Sequence, residues 1–286
     1  MIKIFTERKI ESAKQQPDDK IGEKSYRYEG IYVKSNDEIA TMKQAGSIVA
    51  TILKKLSDRV EPGLKTRELD IIAERELKKL GAESSFKGYH GYPATVCVSI
   101  NDEIVHGIPG ERALREGDIA SIDFGAIYNG FHSDAAVTVP CGRVSREALN
   151  LMEATRTALE NAIAAARAGA RLGDIAAAVE NYAASRGFSV VREYTGHGIG
   201  RKMHEDPQIP NCTEPPYGLK PGTGPVLKKG MTLALEPMLT AGGWRTRVAS
   251  DNWTVHTADG SLAAHFEHTI VIDNTEPEVL TRGVYD

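Results

Sequence analysis

The stretch Ile119–Val139, IASIDFGAIYNGFHSDAAVTV, constrains the fold of this chain more than any other. Two runs rich in β-branched and apolar residues flank Asn129-Gly130. That dipeptide is the strongest short-range signal for a two-residue type I′ hairpin turn, which needs positive φ at both central residues. With the turn placed there, Tyr128 opposes Phe131, Asp123 opposes Ala136, and Asp134 opposes Gly125. Side chains alternate with period two along a strand, so Asp123 and Asp134 share one face as diagonal neighbours, with Cα atoms about 7–8 Å apart. Two carboxylates at that separation can converge on a cation or a pair of cations. A solvated hairpin face satisfies the same pattern, and the neighbours Ser121, Gly125, His132 and Ala136 suit either reading.

Length and composition narrow the class. The 286 residues suffice for one large domain or two small ones with a sizeable core. A hydrophobic fraction of 41% and a charged fraction of 26% are those of a soluble globular protein. The net charge of −4 gives no electrostatic case for nucleic acid as partner. Three widely separated cysteines make no disulfide framework and no CxxC pair, which points to a reducing compartment. No apolar run is long enough to span a membrane and no secretory leader opens the chain, so the expected setting is the cytoplasm.

Residues 1–30 are polar and weakly periodic and read as an extension without visible chemistry. Ser35 and Glu38 have capping-box spacing ahead of an apolar stripe through Ile39, Met42, Gly46, Val49, Ile52 and Leu56. Pro62-Gly63 interrupts the chain. Thr66 is positioned to cap a second helix carrying Leu69, Ile72, Ala73, Leu77 and Leu80, which stops at Gly81. Thr95–Ile100 reads as a strand, and the hairpin follows. Ser145 opens a third helix through the alanine-rich segment, and Gly173-Asp174 opens a fourth that ends at Gly187. Beyond it come a strand (FSVVREY), a glycine-rich loop (Thr195–Gly200), a proline-rich irregular stretch (Pro207–Pro225) and strands over Met231–Glu236, Trp253–Thr257 and His265–Ile272. Helix, helix, strands is thus written twice, about residue 143. The pattern predicts an α+β protein of two pseudo-symmetric halves, with antiparallel sheet backed by helices.

The second half adds three candidate ligands. His197 stands among glycines in Thr195-Gly196-His197-Gly198-Ile199-Gly200, where a ligand can approach the backbone closely. Glu236 ends an alternating strand, and Glu267 interrupts an apolar one with His265 and Thr269 on its own side. A carboxylate inside an apolar strand is costly to bury unless it is paired or bound to metal. Four carboxylates and a neutral imidazole would balance two divalent cations, with oxygen-rich ligation suited to manganese, iron, cobalt or zinc. Solvent-facing positions in each strand remain the alternative on pattern alone. The glycine loop lacks Walker A spacing, His204-Glu205 is not continued to an HExxH zincin, and no GxSxG elbow is present.

The segments GYHGYPATVCVSIND, VHGIPG, DIASIDFG, GFHSDAAVTV, GHGIGRKMHEDPQIPN, MTLALEPM and AHFEHTIVI resemble, in order and spacing, the signature segments of type I methionine aminopeptidases. The likeness covers residues 36–286, implying a catalytic metallopeptidase domain there with 1–35 as an N-terminal extension, and a pita-bread fold. It implies metal ligation by Asp123, Asp134, His197, Glu236 and Glu267, with Asp134 and Glu267 bridging two divalent ions and a metal-activated water as nucleophile. Glu236 would also shuttle the proton, His106 would contact the substrate, and His204 would hydrogen-bond the scissile carbonyl. The methionine pocket would be walled by Tyr89, Tyr92, Cys97, Met203 and Trp253, with Phe86 close by and His90 near its mouth. Phe86 and Met203 replace residues often Cys and Phe in the family. His265 and His268 are read as supporting the ligands from behind or as structural, and His132 as exposed.

The substrate so implied is the initiator methionine of nascent polypeptides with a small second residue. The ribosome is a conceivable partner, and the expected state is a monomer that meets neither membrane nor nucleic acid. A prolidase or Xaa-Pro aminopeptidase shares the ligand set, but such enzymes usually carry a large preceding domain, against about 35 residues here. A type II enzyme would need a helical insertion between His204 and Glu236, and the gap is too short. A non-catalytic binding module on the same fold would have lost ligands, and none is missing.

Overall fold

The computed structural model describes residues 24–284, so the reading of residues 1–23 lies outside the described residues. Four helices, α1 (Asn36–Ser57), α2 (Thr66–Leu80), α3 (Arg146–Ala165) and α4 (Leu172–Ser185), alternate as two pairs with strands in the order the sequence pattern predicts. A nine-stranded antiparallel sheet joins the two halves.

Local chemistry starts each helix. Ser35 accepts from the Glu38 N–H while Glu38 accepts from the Ser35 N–H, closing the predicted capping box of α1. Ser145 caps α3 through the Ala148 N–H. Thr66 is not a cap: α2 begins at it, with Glu68 reaching back to the Lys65 N–H, and the Thr66 hydroxyl instead bonds both the N–H and the carbonyl of Gly110. Helix α4 likewise begins before the expected Gly173-Asp174, because the Asp174 carboxylate takes the Arg171 N–H. Gly81 ends α2 in the left-handed region, as its position implies.

Helices α1 and α3 lie against the sheet. Ile52, Leu53 and Leu56 of α1 are wholly buried, each contributing about 1.5–3 kcal/mol relative to exposure. The apolar stripe includes Gly46 because the chain end passes directly over it.

The hairpin register matches the sequence reading. Tyr128 pairs with Phe131, Asp123 with Ala136 and Gly125 with Asp134, and both turn residues have positive φ, Asn129 at 47° and Gly130 at 78°. Three expectations about the later strands fail. Glu205–Ile209 is a strand although it contains Pro207; it is the edge strand, and its register shifts at the proline, where a missing N–H costs no ladder bond. The expected strand FSVVREY shrinks to Ser189–Val190. The expected continuous strand His265–Ile272 is broken at Phe266 into Ala263–His265 and Glu267–Val271, which belong to different sheets. Its partner breaks at the same level: Thr232–Leu235 and Met238–Thr240 flank Glu236-Pro237, and Phe266 N–H donates to the Pro237 carbonyl.

Part of the weakly periodic N-terminus is also structured. Tyr26–Tyr28 pairs with Ile31–Val33 across Glu29-Gly30, both at positive φ, and Ile31 and Val33 enter the core. The alternation was present in YRY-EG-IYV, but Glu rarely occupies such a turn position and so masked it.

Gly46→Ala provides a direct check of the packing. An exposed helix would gain by it, but here the added Cβ would stand 2.2 Å from the Leu280 carbonyl oxygen. A loss of about 1–3 kcal/mol is expected in urea denaturation.

Candidate metal centre

Four strands of the central sheet carry Asp123, Asp134, Glu267 and His197, and Glu236 directly follows Thr232–Leu235, the strand between the last two. Asp123 lies opposite Ala136, which lies opposite Glu267, so the three form one row across Ile119–Tyr128, Phe131–Pro140 and Glu267–Val271. Cys97 extends the row on the far side of Asp123. His197 opposes Ala234, and Ala234 opposes Thr269, two residues from Glu267. Period two then places Asp134 (two from Ala136), Glu236 (two from Ala234) and His197 on the same face as Asp123 and Glu267. Ala136 and Ala234 are the small residues in the middle of these rows, and they leave the space above the sheet to the longer side chains.

Ligand-type atoms of Asp134, His197 and Glu267 lie within 4.8 Å of one another. His197 Nε2 is 3.5 Å from Glu236 Oε1. His197 Nδ1 donates to its neighbour's carbonyl, Gly198 O, at 2.9 Å, which leaves the Nε2 lone pair pointing among the carboxylates. Asp134, Glu267 and His197 are buried, while Asp123 and Glu236 are partly open to the cleft. Burial, reinforced by Asp134 and Glu236, pushes the Asp123 carboxyl well above the carboxylate range. Burial raises Asp134 to about 7, and burial with its charged neighbours raises Glu236 and Glu267 as well. Burial lowers His197 to about 4, keeping it neutral. Asp123 Oδ1 and Asp134 Oδ1 are buried and accept no hydrogen bond among the described residues. Converging carboxylates, two bare buried oxygens and a neutral imidazole with its lone pair inward fit divalent cations of oxygen-preferring type.

The seam between the halves runs through this face. From Glu267–Val271, Glu267 and His268 pair with Phe131–Pro140, and the Thr269 hydroxyl completes the join by bonding both the N–H (2.9 Å) and the carbonyl (2.8 Å) of Asp134. Sequence reading placed Thr269 on the right face without giving it this work.

The face opens into a cleft of about 1170 Å³ lined by all five residues together with His106, His204, Phe86, Tyr89, Tyr92, Cys97, Met203 and Trp253. Phe86, Tyr92, Cys97 and Met203 are buried in one apolar cluster, with Tyr89 and Trp253 packed on it. The Tyr92 hydroxyl donates to Val96 and Gly107 carbonyls, so only its ring meets the cleft, edge-on to Trp253 at 5.1 Å. Asp251 fixes Trp253 by accepting its N–H. His204 stacks on Tyr89, and the Tyr89 hydroxyl bonds its Nδ1 at 2.7 Å. His106 holds positive φ, 61°, with its ring edge-on to Tyr194 and Trp253. His90 is exposed at the cleft, as expected.

His132 is a correction: it is half-buried, bonded to Ser85 Oγ at 2.9 Å. His268 is buried against Thr281 and serves the sheet. Missed in the sequence are Arg27, Gly30 and Tyr32, which bring the N-terminal hairpin to the cleft, and Tyr194, which had no motif to mark it.

A cleft floored by four carboxylates and one imidazole, all on one face of a sheet, with neutral histidines above, defines a metallohydrolase. The comparisons specify which. The model of metallopeptidase family M24 matches residues 40–274, and the chain belongs to that family. It is 50% identical over 252 residues to methionine aminopeptidase 1 of Bacillus subtilis, covering 88% of this chain and 99% of that one. A solved methionine aminopeptidase of Thermotoga maritima superimposes with a TM-score of 0.84 at 46% identity, over 88% of this chain and 99% of that one. The prolidase of Pyrococcus furiosus shares the fold alone, with a TM-score of 0.71 at 22% identity, over 87% of this chain and 65% of that one. The pita-bread architecture is therefore that of the family.

Without cations the raised carboxyls set the pH dependence. A carboxyl raised from about 3.9 in the unfolded chain to about 7 in the fold binds more protons when folded, so stability is full below the lower value and lost as pH rises through the upper one. The chelator-treated protein is expected to melt at a lower temperature at pH 8 than at pH 5, and added Mn²⁺ should reverse the difference. A Tm flat over this range would contradict the carboxylate cluster.

Proposed function

We propose that this protein is a methionyl aminopeptidase that removes the N-terminal methionine from new polypeptides whose second residue is small. The observation that carries this reading is the joining of an apolar pocket of aromatic and sulfur side chains to the carboxylate face through a single sheet row, Cys97–Asp123. Relatives of this chain over nearly their full length bear the same activity in their names.

Asp123, Asp134, His197, Glu236 and Glu267 hold the metal, two divalent ions of the manganese, iron, cobalt or zinc kind, and residues 36–286 form the catalytic unit. When bound, such cations polarise the scissile carbonyl and make water nucleophilic near neutral pH. The chain's own groups do the rest. Tyr92, Trp253, Cys97, Met203, Tyr89 and Phe86 enclose the methionine tail, aromatic faces and soft sulfur matching its thioether. A tyrosine hydroxyl donating to His204 Nδ1 leaves the ring proton on Nε2, a neutral donor for the carbonyl oxygen as it gains charge. His204 is exposed at the cleft, and desolvation by the cleft walls, with the adjacent His197, lowers its pKa and keeps it neutral. His106, also neutral, contacts the peptide. Glu236, whose carboxyl holds protons readily, delivers one to the leaving amine. Chains with such termini arise at the ribosome, which makes the cytoplasm the place of action.

Release of methionine from Met-Ala-Ser is expected with Mn²⁺ or Co²⁺, with little from Leu-Ala-Ser or Ala-Pro. Cleavage unaffected by metal removal, or preferred on Ala-Pro, would overturn the assignment. His204→Ala should lower kcat by about 10²–10³-fold, the cost of one donor to a developing oxyanion, with metal content retained. Asp134→Asn should lose metal and rate together, and retention of both would reassign the bridge.

A further inference from the structure

His204 lies on a short loop, and what fixes that loop comes from the far end of the chain. Lys34 stands between the N-terminal hairpin and α1, its side chain 1% exposed, with Nζ 2.6 Å from Glu205 Oε2. Glu205 is the peptide neighbour of His204. Its other oxygen accepts the Lys202 N–H at 3.2 Å, and its backbone pairs with Gly198. One carboxylate therefore closes the loop around Met203 and His204 and ties it to the lysine. Lys34 is itself held by the fold: its N–H donates to Gly230 O at 2.9 Å, and Val33 bridges Met231. The Tyr89 hydroxyl restrains the opposite side of the imidazole. By contrast, the pair Arg201–Glu38 at 3.2 Å has an arginine side chain 57% exposed and holds little.

A buried lysine contributes poorly to stability compared with an apolar residue of its size, because both charges must be desolvated. What such a pair supplies is a fixed geometry, and here the geometry belongs to the histidine that meets the scissile carbonyl. We propose that Lys34 is a positioning residue for His204, acting through Glu205. The proposal rests on the aminopeptidase reading and deepens it: the segment before α1 sets the placement of a catalytic group more than 160 positions later in the chain.

The test is a cycle of variants in the full chain loaded with Mn²⁺. Misplacement of a catalytic group by about 1 Å costs up to about 10²-fold, so Lys34→Met and Glu205→Gln are each expected to lower kcat on Met-Ala-Ser about tenfold or more. Metal content should be unchanged, and Lys34→Arg should recover most of the loss. In a His204→Ala background the same substitutions should change kcat by less than about twofold, since the group they position is gone. An equal loss in both backgrounds, or no loss with His204 intact, overturns the proposal. Where Lys34→Met fails to fold, Glu205→Gln, which keeps the size of the side chain, carries the cycle. In ¹³C-histidine NMR spectra of the chain loaded instead with diamagnetic Zn²⁺, the His204 ring resonance should shift in Glu205→Gln while that of His106 stays. An unshifted His204 signal overturns the positioning role even if the wild-type chain released no methionine, an outcome that would separately defeat the functional reading.

Discussion

The governing constraint is electrostatic. Four carboxylates gathered on one face of a sheet repel one another and resist dehydration, so the fold can keep them together only by protonating them or by supplying positive charge. The remainder of the sheet is arranged around that difficulty. Ala136 sits between Asp123 and Glu267 and Ala234 between His197 and Thr269, the Thr269 hydroxyl holds the Asp134 backbone, and His197 is oriented by a carbonyl that leaves its lone pair inward. The helices on the opposite face provide the apolar burial that this face lacks.

Much of the site was legible because antiparallel register is arithmetic. Asn129-Gly130 fixed the pairing of Asp123 and Asp134, and the parity of the strands put Glu267 and Thr269 on one side. Helix starts at Ser35 and Ser145 were equally plain, since a hydroxyl followed by a free N–H three residues on leaves little choice. What local pattern could not show is which strands become neighbours. Nothing near His197 announces that its strand will lie beside Thr232–Leu235, or that the two late strands bend together at Pro237 and Phe266. Those facts depend on long-range packing; the strand patterns offered the five candidates, and only the family resemblance joined them into one ligand set ahead of the structure.

The failures share a cause. Intrinsic preference discourages a strand at Pro207 and a tight hairpin at Glu29-Gly30, and tertiary context overrules both. An edge position excuses a proline, and anchoring by Ile31 and Val33 holds a glutamate in a turn that it would not choose. Thr66 shows the same for capping: a neighbouring loop claimed its hydroxyl before the helix could.

The seam between the halves has a consequence for how the molecule matures. Asp123 and Asp134 belong to the first half, and His197, Glu236 and Glu267 to the second, so under the proposed ligation neither half alone would own a complete set. Cation capture would then wait for docking of the two halves, a step dominated by contacts between residues distant in sequence, which form slowly. On that ligation, metal would reward only the finished product, locking the docked state and leaving partly folded chains without a competent site.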